Sequence, residues 1–253
     1  MRQTLLVTLL ASALLLAGCK TLESTGGLDN AISIGATAMK AVTLTDAEVV
    51  AMSDEACQAL DAQNQLAPAG NKYSKRLKKV VAKLPQHIEG KKAVYKVYVT
   101  PEVNAWAMAN GCIRVYSGLM DLMNDDELRG VIGHEMGHVA LGHSKKAMQT
   151  AYATSAARQA AASSGGWMGA LSSSQAGELG EKFLEAQFSQ AQETDADNFA
   201  FDLLTQQKMR REGLVTGFKK LEKLSGDTHA LLSSHPASAD RARNIQSRLD
   251  AGQ

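Results

Sequence analysis

The sequence predicts an α+β fold, mainly helical, with a small sheet and hairpin packed beside a capped helix. Three observations carry that prediction. Alanine is plentiful while aromatic residues make up only 5% of the chain, a composition that favours helix. Between residues 93 and 116 side chains alternate with the period of two that strands require. From Asn124 onward apolar positions recur about every 3.6 residues instead.

At 253 residues, 45% hydrophobic and 21% charged, the chain has material for one substantial core. We expect an export leader over residues 1–18, a tether over 19–43 and one folded domain over 44–253. The formal charge of +1 provides no long-range field for nucleic acid, so no nucleic-acid partner is expected. Basic clusters at 72–83, 145–146 and 208–211 are interrupted by apolar residues and read as solvated helix faces.

The leader sets the compartment. Arg2 precedes an apolar run over residues 5–16, shorter than the roughly 20 residues of a membrane-spanning helix, so a removed export signal is expected. Leu16-Ala17-Gly18-Cys19 looks like the lipobox of bacterial lipoproteins, which implies cleavage before Cys19 and its acylation. Lys20 after the cysteine, by the same resemblance, favours the outer membrane, with the domain facing the periplasm. Residues 21–27, rich in Gly, Ser and Thr, would serve as a flexible tether. The three cysteines are an odd number for an exported chain. Setting Cys19 aside leaves Cys57 and Cys112 as one possible disulfide in an oxidising compartment, with two buried free thiols or a reactive one as alternatives.

Thr45 and Glu48 form a capping box that starts a helix over 45–60, and a break at 68–71 leads to a second over 72–84. A strand over 93–99 follows. Runs at 103–109 and 112–116 flank Asn110-Gly111, which predicts a hairpin with positive φ at both turn residues. Asn124 caps the next helix with Glu127 at the reciprocal position. The Ala/Ser/Gly-rich segment 151–180, with Gly165-Gly166-Trp167, interrupts the pattern as a flap, a channel wall or a linker. Helices are expected again over 179–207, 217–224 and 237–249.

Within the capped helix stands His134-Glu135-Met136-Gly137-His138. Residues four apart share a helix face, so the two imidazoles can grip one zinc ion while Glu135 adjoins its bound water as general base. Gly133 and Gly137 bracket the glutamate, and their cost in a helix implies close approach by a neighbouring backbone, helix or substrate. His143 reads as a cation at the helix C-terminus. A catalytic zinc wants a third protein ligand, and Glu193, four residues before Asp197, is the candidate. One of that pair can bind metal while the other orients an imidazole. His87 and His229 carry no motif and read as structural.

These residues, with Ser234-His235-Pro236 and Arg241, resemble the HExxH peptidases that include the heat-shock protease HtpX and the CAAX prenyl proteases. The run Asn104-Ala105-Trp106-Ala107-Met108-Ala109-Asn110-Gly111-Cys112, continuing to Met120, looks like the periplasmic lipoprotein members of that family. The resemblance spans residues 44–248, including Cys57 and Cys112. It implies a zincin-like fold, one Zn2+ per chain, Glu193 as third ligand and Asp197 behind the ligands. It also implies His235 as an oxyanion donor supported by Arg241. The strand carrying Asn104, Ala105, Trp106 and Ala107 would be an edge that pairs with extended substrate. The activity implied is zinc-dependent cleavage of unfolded or misfolded proteins in periplasmic quality control. A protein partner in the outer membrane would suit a tethered protease, though no motif names one. The competing class is a non-enzymatic, zinc-stabilised chaperone or assembly lipoprotein, with His143 as a fourth ligand.

Overall fold

The computed structural model describes residues 43–162, 171–224, 234–235 and 239–252. The leader, Cys19, the tether and Gly165-Gly166-Trp167 lie outside the described residues. Contacts divide the chain into two units, Leu44–Tyr152 with Leu171–Gln253, and Met1–Thr43 with Ala153–Ala170. The second is described only at Thr43 and at the end of one helix.

In the larger unit, α1 (Asp46–Gln63) starts at the Thr45–Glu48 capping box. Helix α2 (Lys72–Val80) is capped by Asn71 and stops before residue 84. Pro85 disfavours helical backbone at Leu84, and the chain instead turns tightly, with Leu84 N–H donating to Val81. Strands β1 (His87–Ile88) and β2 (Lys91–Lys92) form a two-residue hairpin around Glu89 and Gly90, both at positive φ.

The main sheet contains β3 (Val94–Tyr98), β4 (Ala105–Ala107) and β5 (Cys112–Tyr116) in the order β3-β5-β4. Strand β3 runs parallel to β5, and β4 antiparallel to it with Trp106 opposite Arg114. The expected hairpin forms, but its turn differs from the expectation. Gly111 N–H donates to Met108, Met108 N–H donates to Cys112, and only Gly111 has positive φ (85°). This is a three-residue loop ending in a glycine bulge rather than a two-residue turn. A side chain on Gly111 would meet the Lys92 carbonyl oxygen at 2.5 Å.

Helix α3 (Ser117–Leu122) leads into α4 (Asp125–Ala140), where Asn124 and Glu127 satisfy each other's backbone N–H. Then come α5 (His143–Ala162), α6 (Ser173–Leu184), α7 (Gln190–Gln206), α8 (Glu212–Lys223) and α9 (Ala239–Asp250). Over its described residues, 151–162 and 171–180, the expected interruption is therefore mostly helical. Alanine is the best helix former, so weak apolar periodicity there does not break the helix. The actual break, at 185–189, falls inside the helix expected over 179–207. Ser172 and Ser189 each cap a new start in a box with Gln175 and Gln192. Helix α8 begins five residues before the expected start at Gly217, because Leu214 and Val215 are buried in the core.

The α+β expectation holds. Helix α4 packs chiefly on α7 and α8, and its apolar side meets the sheet through a core including Ile113, Val115, Leu128, Ile132 and Met136. The Cys57–Cys112 disulfide joins α1 to β5. Beside it Arg114, 2% exposed, donates from Nε and Nη2 to the two carboxylate oxygens of Asp61 at 2.7 and 2.9 Å. Tyr98 and Lys96 also donate to Asp61. Among the described residues no helix is long and apolar enough to cross a membrane.

Candidate metal centre

Two helices build the site. Gly133 and Gly137 let α7 approach α4: a side chain on Gly137 would stand 3.0 Å from the Ala196 carbonyl oxygen, and one on Gly133 3.3 Å from Ala200 Cβ. The close approach inferred from these glycines is thus that of a neighbouring helix. It brings Glu193, in the first turn of α7, against His134 and His138 on α4. At a helix N-terminus the backbone dipoles favour a carboxylate.

Donor atoms of His134, His138, Glu193 and His235 all lie within 4.8 Å of one another, and all four residues are buried. His134 Nε2 and His138 Nε2 are 2.9 Å apart, and Glu193 carboxylate oxygens stand 3.5 and 3.2 Å from them. Donors bound tetrahedrally at zinc distances would be separated by about 3.4 Å. Two imidazole nitrogens and a carboxylate, water-excluded and mutually this close, form a donor set that fits a divalent cation, zinc well among them. Burial opposes ionisation of Glu193, but His134, His138 and His235 hold its carboxyl well below the usual range. Burial leaves His138 with little affinity for a proton, which suits a ligand.

Around this set the expected residues are present. Asp197 Oδ1 lies 2.7 Å from His134 Nδ1. Arg241 donates from Nε and Nη2 to Asp197 at 2.7 and 2.8 Å, and pairs through Nη1 with Glu193. Arg241 thus holds the two acidic residues, and through Glu193, whose Oε1 lies 3.0 Å from His235 Nδ1, it reaches His235 at one remove. His235 has Nδ1 3.0 Å from Glu193 Oε1 and Nε2 3.5 Å from Glu135 Oε1. Burial alone would lower its pKa, yet the Glu135 and Glu193 carboxylates raise it. Glu135 is 2% exposed, its Oε1 has no hydrogen-bond partner, and burial raises its pKa.

A cleft opens on Glu135 and His235. It is lined by Asn104, by Trp106 and Ala107 of β4, and by Phe183, Leu184, Ala186 and Phe188. The bonds Tyr116 N–H to Asn104 and Met108 N–H to Cys112 turn the even-numbered residues toward β5. The backbone groups of Ala105 and Ala107 therefore point to the outer edge, where the Ala107 carbonyl accepts from Ser144.

His143 does not sit at the end of α4, where a helix-terminal cation is expected. It begins α5, is buried, and burial lowers its pKa. Its Nδ1 lies 3.1 Å from His138 Nδ1, on the ring edge opposite the donor set, so it is not placed as a fourth ligand. Phe188, which no sequence motif marks, stacks on His138 with ring centroids 3.8 Å apart. The available signal was a lone aromatic directly before the Ser189 cap of the helix that carries Glu193.

The model of Peptidase family M48 matches residues 71–249. The chain is 51% identical over 247 residues to metalloprotease LoiP of Escherichia coli, covering 97% of this chain and 96% of that protein. It is 47% identical over 251 residues to metalloprotease YcaL of the same organism, covering 98% of each. Over 50 residues it is 44% identical to protease HtpX of Thioalkalivibrio sulfidiphilus, 18% of this chain and 17% of that one. With a family match over most of its length and metalloprotease relatives from end to end, the chain belongs to Peptidase family M48 and is a metallopeptidase.

Proposed function

We propose that this metallopeptidase is a zinc endopeptidase for unfolded or misfolded polypeptides, anchored to the outer membrane through lipidated Cys19 and facing the periplasm. The observation that carries the reading is the convergence of His134, His138 and Glu193 beside Glu135, whose Oε1 accepts no hydrogen bond, at the foot of a cleft walled by strand β4.

His134, His138 and Glu193 would hold the zinc, whose Lewis acidity brings the pKa of a bound water to about 7 and polarises a peptide carbonyl. Glu135 takes a proton from the attacking water as its oxygen bonds to the carbonyl carbon. The same carboxyl then gives that proton to the leaving nitrogen as the C–N bond breaks. Burial raises the proton affinity of Glu135, which favours this two-way transfer. His235, whose proton affinity the Glu135 and Glu193 carboxylates raise against its burial, donates a hydrogen bond to the developing oxyanion. Asp197 and Arg241 fix His134 and Glu193 in place.

The outward N–H and C=O of Ala105 and the N–H of Ala107, whose carbonyl Ser144 already occupies, let an extended chain add to β4 through main-chain hydrogen bonds. Such pairing reads backbone rather than sequence, which suits unfolded substrates. For the anchor, the support is the lipobox-like Leu16-Ala17-Gly18-Cys19 and the pairing of Cys57 with Cys112, which leaves Cys19 over. Glu135→Ala should retain stoichiometric zinc and lose cleavage of casein by at least a hundredfold; full activity in that variant would end the assignment. Cys19→Ala should release the protein from outer-membrane fractions, and its persistence there would refute the anchor.

A further inference from the structure

We infer that His143 is the positioning partner of His138, its Nδ1 accepting the His138 Nδ1 proton and so holding that ring with Nε2 toward Glu193 and His134. The inference rests on the reading of His138 as a metal ligand. His138 Nε2 lies 3.2 Å from Glu193 Oε1 and 2.9 Å from His134 Nε2, which makes it the coordinating atom. Nδ1 must then carry the proton, and a buried N–H requires an acceptor. An imidazole N–H points in the plane of its ring, so the acceptor must come at the edge, while Phe188 stacks on a face. There His143 Nδ1 stands 3.1 Å away, with the two rings inclined at 62°.

Local structure explains why this residue arrives there. Helix α4 ends at Ala140, Gly142 takes φ +75°, and α5 starts at His143 with its ring against that of His138. The two zinc-binding imidazoles therefore have unlike supports. His134 leans on a carboxylate that Arg241 locks, whereas His138 leans on another imidazole.

The test compares zinc affinity, by competition with a chromophoric chelator, in the purified full chain and three variants. His143→Phe should weaken zinc binding roughly 10- to 100-fold. His143→Asn, whose Oδ1 can stand where Nδ1 does, should stay within about threefold of the parent. A purely structural residue would instead make both variants track the melting temperature of the metal-free protein. Unchanged affinity in His143→Phe, or an equal loss in His143→Asn, overturns the inference. His138→Ala separates it from the reading beneath: full affinity there removes His138 as a ligand, while a loss there with normal His143→Phe sinks only the positioning role. Should His143→Phe fail to fold, imidazole nitrogen spectra of the zinc-loaded parent decide. The expected pattern is His138 protonated at Nδ1 and His143 bare at Nδ1, and the reverse overturns it.

Discussion

Asp197 Oδ1 sits 2.7 Å from His134 Nδ1 while Arg241 clasps both carboxylate oxygens, so one acidic side chain links an imidazole of the donor set to a buried guanidinium. Burial opposes the charge on Asp197, yet Arg241 and His134 hold its pKa below the usual value. Asp197→Ala should weaken metal binding roughly 10- to 100-fold. It should also cost about 3 kcal/mol of stability, because Arg241 loses a partner while buried. Chelator competition and urea unfolding measure the two losses separately.

Gly137 offers a test of helix spacing. Any side chain there meets Ala196 backbone at 3.0–3.1 Å, and backbone cannot rotate aside. Gly137→Ala should cost about 1–3 kcal/mol and push α7, with Glu193, away from the two histidines. We expect weaker zinc binding at unaltered secondary structure, read by calorimetry beside circular dichroism.

The Arg114–Asp61 pair makes a prediction about pH. Burial alone would raise the Asp61 carboxyl, but hydrogen bonds from Arg114 and Lys96 hold it below its ordinary value. A carboxyl that titrates lower when folded contributes fully above the usual carboxylate range near about pH 4 and loses that contribution as pH falls through the folded value. Asp61→Asn should cost about 3 kcal/mol at pH 7, with the gap to the parent narrowing in strong acid. Denaturant midpoints across pH 2–7 check both parts.

Replacing Cys57 and Cys112 together by serine should remove about 2–4 kcal/mol by freeing a 55-residue loop in the unfolded chain. Zinc affinity should hold, since neither sulfur approaches the donor set; a parallel loss would tie β5 to the metal centre more closely than we expect.

Much of the centre was legible because it is local. His134, Glu135 and His138 lie within one helical turn and a quarter, and Asn124 announces that helix through Glu127. Glu193 and Asp197 share a face for the same reason of spacing. Contacts between distant segments were not legible. Asp61 and Arg114 are 53 positions apart, and nothing local tells a buried arginine from an exposed one. The break before Ser189 was missed because alanine and serine carry little periodicity, and the turn at Gly111 because a three-residue loop accepts the same Asn-Gly pair.

By itself the sequence determined the fold class, the capped metal helix and the identity of the groups able to bind a cation, since these follow from spacing along a chain of known pitch. Tertiary structure alone decided which partner each group received. Arg241 went to Asp197 and Glu193, His143 to His138, and Phe188 to the face of the same ring. The reason is physical: periodicity orients a side chain relative to its own helix, whereas a partner is chosen by how two helices approach, and small residues such as Gly137 and Ala196 set that distance.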